Sequence, residues 1–184
     1  MKKNAIRFLA LAFFAFLLSS CLTVEKKEYK WEFTGPNSGK LTITYINIMS
    51  DMDDSLDVRS EDFEELLNSY YYGSYIDDRY AMATNIEKRL FARDGQLWGE
   101  VIIEFDDLEA VQIYRHEKKG PFMFCVNTAE DTETYLESNG AYGGDYMPVV
   151  FWGSKNKELN LTTLIQETDE STLSLVEQYN EWKE

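Results

Sequence analysis

Apolar and polar positions alternate strictly along two early segments of the chain. Tyr29, Trp31 and Phe33 share one side with Lys30 and Glu32 between them, and Leu41, Ile43 and Tyr45 alternate with threonines. A period of two marks a half-buried strand. The intervening Gly35-Pro36-Asn37-Ser38-Gly39 is built of turn formers, so the segment predicts a hairpin with one aromatic-aliphatic face and one water face. After Tyr45 the apolar phase shifts to Ile46 and Ile48, which predicts a bulge or a strand end buried on both sides.

The period then lengthens. Phe63, Leu66, Leu67, Tyr70 and Tyr71 recur at helical spacing, with Ser60 placed as N-cap, Glu61 and Asp62 in the first turn and Gly73 at the close. Carboxylates favour the N-terminal turn and glycine the C-terminus, so this reads as a helix packed on the sheet. A second hairpin follows, Ile86 to Arg93 and Gln96 to Phe105 around Asp94-Gly95, a pair suited to the positive φ angles of a type I′ turn.

Asp106 to Val111 reads either as a capped helical turn or as the start of another strand, with an extended stretch to Tyr114 and a polar turn from His116 to Gly120. Phe122-Met123-Phe124-Cys125-Val126 reads as a strand buried on both faces. Residues 127–147, broken by Gly140, Gly143 and Gly144, are expected to be a loop holding at most one short strand. A third hairpin is predicted from Val149-Val150-Phe151-Trp152 through Gly153-Ser154-Lys155-Asn156 to Leu159-Asn160-Leu161-Thr162. A terminal helix capped by Thr168 or Asp169 then buries Leu175, Val176, Tyr179 and Trp182. Hairpins interrupted by a helix and closed by another predict an α+β domain: an antiparallel sheet, curled or a partial barrel, with two or three helices packed on it.

The first 21 residues follow a different plan. Lys2, Lys3 and Arg7 precede an apolar run from Phe8 to Leu18, ending at Ser19 and Ser20. That is the arrangement of a secretory signal, and the run is well short of the roughly 18 to 20 residues of a membrane-spanning helix. Leu18-Ser19-Ser20-Cys21 resembles the lipobox of bacterial lipoproteins. The resemblance implies that residues 1–20 are removed and that Cys21, carrying diacylglyceryl, becomes the first residue of a membrane-anchored protein. Cutting before Cys21 as an ordinary signal would leave Leu18 where a small residue is wanted. Leu22, rather than Asp, follows the cysteine, which points to the outer membrane if the cell is Gram-negative. Residues 21–27 then read as a short polar tether and 28–184 as one globular domain.

Charge narrows the partners. The chain carries a formal charge of −15, and removing residues 1–20 takes away three positive charges and no negative ones, leaving −18. Such a surface excludes nucleic acid as a partner and docking on anionic headgroups. With Cys21 given to lipid, Cys125 has no partner for a disulfide; its apolar strand places it in the core.

Two clusters qualify as sites. Asp51, Asp53, Ser55 and Asp57 stand at positions 1, 3, 5 and 7 of an EF-hand count, with Asp62 at position 12, a spacing that offers hard oxygens to Ca²⁺. Leu56, however, occupies the place of the required glycine, and a turn-forming solvated loop accounts for the same aspartates. Tyr72, Tyr75 and Tyr80 offer flat faces with hydroxyl rims for a ligand or partner, while Tyr70 and Tyr71 belong to the helix stripe. For catalysis the inventory is sparse. His116 is the sole histidine, a Cys125/His116 dyad requires an exposed thiol, and Glu100 and Glu104 fit the solvent face of a hairpin.

The leading expectation is therefore a non-enzymatic envelope lipoprotein that presents a surface to another envelope protein. The alternative is a lipoprotein that binds a glycan, peptide or apolar molecule in a cleft, and the third a calcium-binding or enzymatic domain. A deep pocket lined by Tyr72, Tyr75 or Trp98 favours the second; a flat apolar patch favours the first.

Overall fold

A computed structural model describes residues 21–52, 56–127 and 132–184, so the signal-peptide reading of residues 1–20 lies outside the described residues. Strands β1 (Leu22–Phe33) and β2 (Gly39–Asp51) form the first hairpin, in register from Leu22 opposite Ser50 to Phe33 opposite Gly39. The apolar phase shift after Tyr45 has a backbone cause: Asn47 adopts φ 56°, and its amide donates to Glu25 Oε2 at 3.1 Å. Tyr29, Trp31, Leu41 and Ile43 thus face one core, whereas Ile48 faces another.

The second hairpin, β3 (Asn85–Arg93) and β4 (Gln96–Phe105), turns through Asp94 at φ 51° and Gly95 at φ 77°, the left-handed pair of a type I′ turn. The large antiparallel sheet has the order β3-β4-β2-β1-β9-β6, with β10 pairing on the end of β2. Here β6 is Thr134–Ser138, β9 is Glu158–Leu164 and β10 is Thr172–Ser174. A smaller sheet of β5 (Phe122–Cys125), β8 (Val149–Trp152) and β7 (Ala141–Tyr142) lies over one face of it. The α+β class with an open antiparallel sheet is as expected.

The core between the sheets is a set of cross-strand rows. Leu159, Trp31, Leu41, Ile103 and Ile86 lie abreast on successive strands, and so do Leu161, Tyr29, Ile43 and Val101. Trp31 is fully buried against Phe124 and Trp152, with ring centres 5.2 and 5.9 Å away. Burying one such aromatic side chain stabilises the fold by roughly 1.5–3 kcal/mol. The opposite face carries the charges, with Lys30 bridging Glu32 and Glu158 and Arg89 bridging Glu100.

A second core lies where α1 (Arg59–Glu65), its π-helical continuation Leu66–Tyr71 and α3 (Val176–Lys183) cover Ile48 and Leu97. A short helix α2 (Tyr75–Arg79) completes the helical layer.

Several expectations are corrected. Residues 22–27, part of the 21–27 stretch read as a tether, are strand, paired with β2 on one side and from Lys26 onward with β9 on the other; of the polar side chains there, Lys27 bonds Glu133 and Glu25 bonds Asn47 and Lys26. Ser60 does not cap α1. The helix begins at Arg59, whose N–H is received by Asp57 Oδ1 at 3.1 Å. Residues 127–147 contain two strands, β6 and β7, in different sheets. β8 and β9 do not form a hairpin: the Gly153 to Asn156 turn carries the chain from the small sheet to the large one. The terminal helix starts at Val176, because Asp169 caps a turn with Ser171 and Thr172 and leads into β10. Asp106 to Val111 takes the helical alternative, a 3₁₀ turn over Glu109–Val111 with Asp107 Oδ1 receiving the Glu109 N–H at 3.0 Å.

Cys125 is also corrected. The strand alternates, burying Phe122 and Phe124 and exposing the Cys125 thiol, which donates to the Asn127 carbonyl at 3.3 Å.

Candidate functional site

One row further along the sheet, the apolar pattern stops. Thr163, Lys27, Tyr45, Gly99 and Leu90 lie abreast on β9, β1, β2, β4 and β3. Gly99 contributes no side chain, and a Cβ there would stand 3.1 Å from Ile48 Cδ1. At the β6 end of this row Tyr142 of the small sheet stacks on Tyr135, the neighbour of Thr163, at 4.0 Å; beside Tyr45 and Gly99 the space is lined by Tyr70, Tyr75, Ile76 and Tyr80. Between floor and roof is a cleft of about 260 Å³, just under the roughly 300–1,000 Å³ of pockets for drug-sized ligands, so it fits a small molecule. Its apolar wall includes Leu22, Val24, Ile48 and Leu66, and its polar one Lys27, Arg79 and Lys88.

Two of the cations in the cleft, Lys27 and Lys88, are positioned by carboxylates. Glu133, 5 % exposed, accepts from Lys27 Nζ, Tyr29 Oη and Thr163 Oγ1, each at 2.7 Å. Burial, reinforced by the Glu133 charge, pushes the Tyr29 phenol well above its ordinary range, so it stays a hydrogen-bond donor. Lys88 is held by Asp77 and by the Gly73 carbonyl, 3.0 Å away. The rings of Tyr70 and Tyr75 meet at 4.6 Å, and burial raises the Tyr70 phenol too. The Arg79 guanidinium lies over the Tyr80 ring at 5.9 Å.

Of the tyrosines picked from the sequence, Tyr75 forms the half-exposed lip of this cleft and Tyr80 lies buried in its wall. Tyr72 stands outside it, 68 % exposed, edge-on to Tyr71 at 4.8 Å and to Trp182 at 6.4 Å. Sequence reasoning missed Lys27, Tyr29, Tyr45, Gly99 and Glu133. Two signals were available: Lys27 falls in the same alternating phase as Tyr29 and Trp31, and Gly99 interrupts a strand, where glycine often marks a close approach.

The chain matches no family model, no curated protein and no solved structure.

The acidic candidates are dispersed. Asp51 accepts from Ser171 Oγ at 2.7 Å and Gln166 Nε2 at 3.1 Å. Asp57 is paired through both oxygens with Arg59, and Asp62 accepts from Ser50 Oγ at 2.5 Å. Ser50 and Asp51 are adjacent on a strand and point to opposite faces, which separates Asp62 from Asp51. Asp53 and Ser55 lie outside the described residues. Among the described residues no group of three or more His, Cys, Asp or Glu is gathered about a common point.

The Cys125/His116 pair is not brought together. Tyr114 is bridged antiparallel to Met123, and His116 lies in the turn beyond that bridge, on the side of Met123 away from Cys125, with its Nδ1 3.3 Å from Tyr114 Oη. His116 instead lines a broad open trough of about 840 Å³ with Pro36, Asn37 and Arg115 at the far end of the first hairpin. Arg115 closes that end by donating to the Pro36 carbonyl and to Asn37 Oδ1, at 3.1 and 2.6 Å. Glu100, 9 % exposed, is engaged by Arg89. Among the described residues no helix is long and apolar enough to cross a membrane.

Proposed function

We propose that this is a lipid-anchored envelope lipoprotein that binds a small amphiphile, an apolar or aromatic body with an acidic head. The observation that carries the reading is the cleft, where tyrosines and aliphatic side chains surround a sheet row vacated by Gly99 and Arg79 stands at the wall. An apolar body displaces water from these rings, and a guanidinium pairs with a carboxylate head in bidentate geometry. Leu22, one residue from the lipobox cysteine, lines the cleft, so a ligand would be taken up close to the membrane surface.

The test is calorimetry on the purified full-length protein with decanoate, an aromatic carboxylate and uncharged decanol. Carboxylates are expected to bind more tightly than the alcohol, Arg79→Gln to remove that preference and Gly99→Leu to remove binding. Tyr72→Ala, outside the cleft, leaves binding unchanged. Equal binding of acid and alcohol overturns the role of Arg79, and no binding of any of the three overturns the reading.

A protein partner is the second reading, supported by the Tyr71, Tyr72 and Trp182 cluster with its exposed ring. Aromatic clusters of this kind anchor interfaces. Co-purification from solubilised envelopes, with a partner lost in Tyr72→Ala, supports it; a partner retained in that variant refutes this surface.

A further inference from the structure

Asp62 is a buried carboxylate that the cleft does not use. It projects from the first turns of α1 and is 4 % exposed. Its donors are the Ser50 hydroxyl, 2.5 Å away, and the backbone N–H of Cys21. Neither carries a charge. Its helix neighbours Glu61 and Glu65 are acidic, and Arg59, at the start of the helix, is committed to Asp57 and Glu177. Burial, with Glu65 and Glu61 adding to it and Ser50 opposing it, raises the Asp62 carboxyl above the ordinary aspartate value. A buried anion without a cation is costly, which asks what completes the site.

The other side of Cys21 is also held. Its carbonyl accepts the Asp51 N–H at 2.8 Å, and the next residue, Leu22, is in register with Ser50. The Cys21 backbone is thus clasped between β2 and α1. We infer that the Asp62 carboxylate is the docking group for the α-amino nitrogen of Cys21 once the chain is cut before that residue. The inference rests on the lipoprotein reading. Hydrolysis of the Ser20–Cys21 peptide bond adds one water across it, leaving a carboxylate on Ser20 and an ammonium on Cys21. The nitrogen already bonded to Asp62 then becomes the missing cation, and a hydrogen bond from a neutral donor to the carboxylate becomes an ion pair in which both partners are charged. The lipid-bearing residue is seated in the fold rather than hung from a tether, and the cleft beside Leu22 is held at the membrane.

The test uses the full chain, made in a host that does not N-acylate lipoproteins and fed a labelled fatty acid. The mature protein is purified in detergent and treated with an amine-acetylating reagent at graded pH, and the N-terminal peptide is quantified by mass spectrometry. The docked amine is expected to react at least tenfold more slowly than that of a free peptide, with its midpoint above the ordinary range of about 7.7–8.0. Asp62→Asn, which keeps an oxygen for Ser50, is expected to restore ordinary reactivity. The wild-type comparison with the peptide decides the matter even if that variant does not fold. An ordinary midpoint on an acyl-labelled protein cut before Cys21 overturns the docking and leaves the lipoprotein reading standing. Absence of acyl label, or label retained in Cys21→Ser, overturns both.

Discussion

Replacing Glu133 with Gln should weaken the fold while tightening the cleft's hold on an acid. The Lys27 and Glu133 side chains are 16 % and 4 % exposed, with 2.7 Å between the ammonium and the carboxylate. Gln keeps an oxygen for Tyr29 or Thr163 but leaves the Lys27 charge without a counter-ion. Breaking one side of a buried pair costs about 3–5 kcal/mol; because Lys27 retains some water, the lower end, about 3 kcal/mol, is expected. For a domain of this size that lowers Tm by roughly 6–12 °C. Adding Lys27→Met to Glu133→Gln removes the stranded charge and should return about 2 kcal/mol, a coupling readable in a double-mutant cycle. Urea unfolding followed by tryptophan fluorescence, to which Trp31, stacked on Tyr29 at 5.5 Å, contributes, measures both. In Glu133→Gln, Lys27 also faces the cleft unopposed, so decanoate should bind about tenfold tighter, a change of about 1.4 kcal/mol. A loss under 1 kcal/mol with additive effects refutes the buried-pair argument. Weaker decanoate binding would mean that Glu133 shapes the cleft rather than masking Lys27.

Tyr29→Phe removes a hydrogen bond to a charged acceptor and should cost about 1.5–3 kcal/mol at neutral pH. The folded phenol is raised above its unfolded value, so the stability it confers is present below pH ~10 and lost as pH rises further; wild type and variant should converge in alkaline unfolding curves. Gly140→Ala would place a Cβ 2.6 Å from Trp152 Nε1, whose N–H is bonded to Asn139 Oδ1 at 2.8 Å. A loss of about 1–3 kcal/mol is expected from the crowding, and an unchanged unfolding midpoint would contradict it. In a Cys21→Ser background, Cys125 should react with a thiol reagent in the native protein, because alternation exposes it. Protection until unfolding would show that the strand is covered.

Where local pattern and local geometry coincide, the sequence by itself determined the outcome. The strict alternation of Tyr29 to Phe33 and Leu41 to Tyr45 produced the first hairpin, and Asp94-Gly95 the second, because a period of two and a positive-φ turn are properties of neighbouring residues. The α+β class followed from the order of those elements.

The errors share a physical origin in long-range pairing. β8 and β9 have the composition of hairpin strands, yet each found a better partner elsewhere: β8 between β5 and β7, β9 between β1 and β6. Residues 22–27 look like a tether because they are short and rich in polar side chains, but their backbone groups are satisfied by β2 and β9, which lie well along the chain from them. Cys125 was judged by its apolar neighbours, whereas its exposure depends on which face of β5 the large sheet covers.

The cleft is likewise a tertiary product. Lys27, Tyr45 and Gly99 are ordinary residues on three strands until register sets them abreast, and Glu133 reaches Lys27 across 106 positions. The chemistry of each side chain is written in the sequence. Which of them meet, and which water they exclude, is decided by strand register and by the helices laid over it, interactions that no short window of sequence contains.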